Sequence, residues 1–195
     1  MRETLIISAF PACGKTYAAK YLSERGVDVL DSDSSKFSWI TDENGNKVRN
    51  PRFIEEYIAN IKENIGKVDL IFVSSHKEVR RAMQKAQIDY TLVRPDVELK
   101  EQWVGRCFLR GNTPEFCKNL ADHWEEWIGE CKKYTEKEEI LRGWNGNLYL
   151  LDVLDDKAQG KIWQRQEQQS AFADWVMLNR LEDGDAYGCN ISNNY

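Results

Sequence analysis

The chain has 195 residues, 42% of them apolar and 30% charged, with a formal net charge of -5. That composition suits a globular core and is too apolar for wholesale disorder, while the acidic balance disfavours a nucleic-acid partner held by broad phosphate contacts. Five cysteines without a C-x-x-C pair announce neither a disulfide framework nor a zinc ribbon, and no window approaches the roughly 18 apolar residues of a membrane span.

No basic region and cleavage site precede the first apolar run, so a cytoplasmic protein is expected. That run, Thr4 to Ser8, is short and β-branched, as a buried parallel strand would be. Lys15 to Gly26 follows as a helix, stopped by its glycine, and VDVLD (27–31) reads as a second strand. TDENGNKVRN (41–50) has the turn chemistry of a hairpin around Asn44-Gly45. Asn50-Pro51 then opens a helix that closes at Gly66. Val68 to Ser75 is the longest strand signal, with Ser75 and Glu78 spaced as a capping box for the next helix. IDYTLVRP (88–95) is a fourth strand. Asp96 caps a helix to Gly111, and Thr113-Pro114 opens another to about Tyr134. NLYLLDV (147–153) is expected as the fifth strand and 156–181 as a last helix. Strands alternating with helices predict an α/β fold, three layers around a parallel five-stranded sheet. A single domain over 1–181 is expected, its lid and acceptor helices at about 96–134, with a flexible tail at 182–195.

Ligands of such sheets sit beyond the carboxyl ends of the strands. The first loop there reads Ala9-Phe10-Pro11-Ala12-Cys13-Gly14-Lys15-Thr16, between a strand and a helix, which is the context a Walker A loop requires. Backbone amides at a helix N-terminus cradle phosphates, a lysine reaches the β/γ oxygens, and a hydroxyl meets magnesium. Pro11, Ala12, Cys13, Gly14, Lys15, Thr16 and Tyr17 are therefore the candidate nucleotide-binding residues. Ala9 and Ala12 stand where glycines are usual, and an alanine resists positive φ.

Asp31-Ser32-Asp33-Ser34-Ser35 lies at the end of the second strand. Asp31 with Thr16 is the candidate metal site, and Asp33 the candidate acceptor contact and catalytic carboxylate. Phe37 and Trp39, close behind, are candidates either to stack on a nucleobase or to pack in the core. Arg106 and Arg110 share a helix face, and Arg110 falls within roughly 20° of the apolar Leu99 and Trp103 on the wheel. Arg80 is a candidate for an acceptor phosphate. After VDLIFV (68–73) the expected acidic Walker B residue is absent and Ser74, Ser75 and His76 stand in its place; His76 reads as a first-turn helix residue.

The loop AFPACGKT, the DSDSS after the second strand and the arginine pair together resemble the P-loop nucleotide kinases, the adenylate-kinase-like and phage-encoded deoxynucleotide monophosphate kinases. The resemblance implies ATP as donor, Mg²⁺, an acceptor site in the second strand's loop and following helices, and Lys15, Arg106 and Arg110 acting on the transferred phosphoryl group. A nucleoside monophosphate acceptor is the leading expectation. The alternatives are a hydroxyl acceptor (a nucleoside, a hydroxymethylated base in DNA, or a polyol), with the D-x-D of Asp31 and Asp33 as the base, and a nucleotide-binding module without turnover.

Overall fold

The computed structural model describes residues 2–32, 34–143 and 146–154. All of them belong to the first of two compact units into which the chain divides after Asp155. Asp33, the expected helix 156–181 and the tail 182–195 lie outside the described residues.

The apolar runs become β1 (Leu5–Ala9) and β5 (Leu70–Ser74), and every residue of β5 is buried. A strand buried on both faces has no reason to alternate, which is why its sequence is a continuous apolar run. Between them come α1 (Lys15–Ser23), β2 (Val29–Asp31), a single helical turn α2 (Ser35–Ser38), the hairpin β3 (Trp39–Thr41) with β4 (Lys47–Arg49), and α3 (Phe53–Asn64). The expected hairpin is present because Asp42 Oδ1 accepts the amides of Asn44 and Asn46 at 2.9 and 2.8 Å while Gly45 takes φ 82°. After β5 follow α4 (Lys77–Lys85), β6 (Thr91–Pro95), α5 (Lys100–Leu109), α6 (Pro114–Asp122), α7 (Trp124–Cys131) and β7 (Glu138–Leu141).

The sheet runs β2-β5-β1-β6-β7 and every pairing in it is parallel. β1 is thus central. Its outgoing connection leads to one edge, while that of neighbouring β5 passes over it to the other side, and a crevice opens where the two connections part.

Three expectations change. The fifth strand is Glu138–Leu141, not 147–153. As an edge strand it is only half-buried and tolerates acids, with Glu138 held 3.0 Å from the Arg94 guanidinium. The apolar run at 147–153 instead starts a helical turn, because Asp152 Oδ2 accepts the amides of Leu148 and Tyr149, both at 2.8 Å. That is one half of a capping box, and it draws the chain away from extended structure. The long helix expected from Thr113 to Tyr134 breaks at His123 (φ -111°, ψ 17°), so α6 and α7 are separate. No side chain caps α4, whose N-cap is His76, so the Ser75–Glu78 capping box does not form.

Candidate phosphate-binding cleft

From β1 the chain turns through 10–14 into α1. Ala9 still pairs in the sheet, beside Ser74 on β5 and Val93 on β6, so the alanine at the motif's first glycine sits in extended backbone where a methyl costs nothing. Ala12 differs, at φ 62°. The left-handed region costs an L-residue roughly 1–2 kcal/mol. Ala12→Gly should relieve that strain and return part of it as extra freedom of the unfolded chain, a net gain of up to about 1 kcal/mol. Calorimetry should show Tm rising by about 2–4 °C. A lowered Tm would mean that the Ala12 methyl packs usefully.

The loop's carbonyls are tied outward. Pro11 O accepts the indole N–H of Trp103 at 2.7 Å, and Cys13 O accepts the amide of Leu150 at 2.9 Å. Trp103 is fully buried, so this brace is rigid. The Cys13 thiol is buried as well, which pushes its pKa far up and leaves it an inert packing group. The first-turn amides of α1 have no intrahelical acceptors, and with Gly14 at φ 95° they sit at the positive end of the helix. That end opens on a cleft of about 900 Å³, lined by the loop from Ala9 to Tyr17.

Asp31, the last residue of β2, also lines the cleft, and Thr16 Oγ1 donates to its Oδ2 at 3.3 Å. One hydroxyl and one carboxylate are hard oxygen donors of the kind Mg²⁺ takes while keeping most of its waters. Among the described residues, which leave out Asp33, no cluster of three or more acidic, histidine or cysteine ligands exists.

The remaining candidates are divided by the fold. Arg110 lines the cleft; Arg106 does not. Its Nη1 donates to Leu148 O at 2.8 Å, and its guanidinium lies between Trp103 and Tyr149, 4.2 and 4.5 Å from their ring centres. Burial lowers the Arg106 pKa without approaching neutrality of so strong a base. Arg80 reaches the cleft wall but is almost wholly buried, and its donors go to the carbonyls of Ser75, Glu130 and Cys131. Phe37 packs edge-on against Tyr57, and Trp39 lies under Lys47 and Arg49 on the hairpin; neither lines the cleft. Asp33 is outside the described residues.

Ser75 and His76 beyond β5 also line the cleft, together with residues that the sequence pattern did not single out: Asn112, Phe116, Glu126 and Trp127 from the segment following α5. Tyr149 was missed too. A Cβ on Gly14 would stand 3.7 Å from its ring. No spacing in the chain signals that 148–150 folds back on the loop.

A central parallel β1 delivering a phosphate loop to a helix N-terminus, within this sheet order, is the P-loop NTPase fold. No family model matches the sequence, and no curated protein matches it. Solved structures do: the tunicamycin resistance protein of Deinococcus radiodurans is similar over 83% of this chain and 96% of its own, at 10% identity and a TM-score of 0.54. The YorR protein of Bacillus subtilis, in complex with phosphorylated GDP, covers 86% of this chain and 98% of its own at 13% identity and 0.49. Shikimate kinase of Bacteroides thetaiotaomicron covers 86% and 98% at 13% and 0.48. At these identities the likeness is one of fold.

Proposed function

We propose that the chain is an ATP-dependent phosphotransferase, a P-loop kinase. The carrying observation is the juxtaposition of Lys15, Thr16 and Asp31 at the α1 N-terminus, opening on a cleft far larger than a phosphate. In this reading the amides and Lys15 hold the β and γ phosphates, and Thr16 and Asp31 hold Mg²⁺. The metal, when bound, neutralises charge on the phosphate oxygens. Arg110 faces the transferring group, while Arg106 acts indirectly, by holding 148–149 against the loop.

The balance of cations favours a hydroxyl acceptor over the monophosphate expected first. Of the basic side chains lining the cleft, Lys77 pairs with Glu130 at 3.2 Å and Arg80 is spent on carbonyls. Among the described residues that leaves Lys15 and Arg110, and ATP itself needs both. A second phosphate dianion would find no further uncommitted cationic donor among the described lining residues. Asp33, in the loop after β2, is retained as an acceptor contact.

ADP release from Mg·ATP, measured against thymidine, shikimate, gluconate and glycerol beside dTMP and dGMP, tests the proposal. Stimulation confined to hydroxyl compounds is expected. Stimulation by the monophosphates alone would restore the nucleotide acceptor, and absence of both ATP binding and ADP release would remove the kinase.

A further inference from the structure

β5 ends beside the phosphate loop, where Ser74 pairs with Ala9, and no acid follows it. His76 is there instead. It occupies the N-cap of α4 without capping it, and its ring turns back so that Nδ1 lies 2.5 Å from Ser74 Oγ. The His76 amide also points to that hydroxyl, at 3.4 Å. Ser74 is itself fixed, because its amide donates to the Tyr57 hydroxyl at 3.0 Å and that hydroxyl donates to Ser32 O at 2.6 Å. A chain of contacts thus runs from the loop after β2, through the buried Tyr57, to one imidazole lining the same cleft as Lys15, Thr16 and Asp31.

In the tautomer that donates Nδ1–H to Ser74 Oγ, Nε2 keeps its lone pair, and among the described residues it has no protein partner. We propose that His76, oriented by Ser74, is the proton acceptor for a hydroxyl substrate in this cleft; the inference rests on the kinase reading above. As the acceptor oxygen bonds to the γ phosphorus, the bond from that phosphorus to the bridging oxygen breaks and its electron pair leaves with ADP. The acceptor O–H proton passes to Nε2 and then to solvent. The surroundings suit a ring that is neutral before the step. Desolvation in the cleft lowers the His76 pKa, as do Lys15 on α1, Arg49 on β4 and Arg80 on α4, against the opposing Glu78. A hydroxyl must shed a proton in such a transfer and a monophosphate need not, so this residue is a marker of acceptor class.

The test compares wild type, His76→Gln, His76→Ala and Lys15→Ala in ADP release from Mg·ATP, with water alone and with thymidine, shikimate, gluconate and glycerol, from pH 5 to 9. ATP affinity is measured separately by calorimetric titration. His76→Gln should bind ATP within about twofold of wild type yet lose on the order of 10²- to 10⁴-fold in kcat at pH 7. The wild-type kcat should fall on the acid side with an apparent pKa below that of free histidine, and that limb should vanish in His76→Gln. Free imidazole should restore part of the His76→Ala rate, which a packing role would not allow. If His76→Gln binds ATP and keeps kcat within about threefold, or keeps the acid limb, the inference is overturned while the kinase stands. If wild type neither binds ATP nor releases ADP, the kinase reading fails and this one with it.

Discussion

Lys15→Ala should lower turnover by at least 10²- to 10³-fold, the order seen when one preorganised electrostatic contact to a transition state is removed. Its ammonium is the side chain of the loop that can follow charge onto the β/γ oxygens as the terminal bond breaks. Folding should not suffer. Lys15 makes no ion pair among the described residues, and it stands in the first turn of α1, where a positive charge opposes the helix dipole. Alanine is also the better helix former, so urea unfolding should show stability unchanged or raised by a few tenths of a kcal/mol. A variant that is as stable as wild type and nearly inactive is the signature of a residue kept for chemistry at some cost to stability. Near wild-type ADP release from Lys15→Ala would show that the loop does not handle the transferred phosphate.

Arg80→Leu should act in the opposite sense, on stability first. Arg80 is 2% exposed and its Nε and Nη1 donate to three carbonyls, at 2.9 Å to Ser75, 2.7 Å to Glu130 and 3.0 Å to Cys131. Two of those carbonyls lie at the end of α7, where a helix presents unpaired oxygens and the negative end of its dipole, so a cation is well placed there without a carboxylate. Tyr134 adds a ring face 5.4 Å from Cζ. Leucine fills much of the volume and leaves the carbonyls buried and unpaired, which should cost about 2–5 kcal/mol in urea unfolding. Arg80→Lys keeps the charge without the planar fork and should lose less. If Arg80→Leu is as stable as wild type and only the acceptor KM rises, Arg80 belongs to substrate binding, as its sequence position first suggested.

The candidate site divides along the same line. The phosphate loop was legible because its chemistry is local: eight contiguous residues hold the amides, the lysine and the hydroxyl, and a strand before and a helix after them are enough to aim all three. β5 was legible because a strand buried on both faces must be apolar throughout. β7 was not, since an edge strand meets solvent and Glu138 can sit there against Arg94, whereas the apolar 147–153 was captured for a helix by a single carboxylate, Asp152.

The arginines were legible only as charges near the right elements. Which of them faces the cleft depends on acceptors far away in the chain: Glu130 lies 50 residues beyond Arg80, and Leu148 lies 42 beyond Arg106. A guanidinium binds whatever carbonyl or ring the packing brings to it, so its role follows from long-range contacts that no spacing encodes. The same holds for Trp103 under Pro11, 92 residues apart, and for His76, whose ring direction is set by a serine that Tyr57 anchors from another helix. Chemistry carried by one turn of backbone can be read along the chain, and chemistry assembled from several elements exists only once the sheet has brought their ends together.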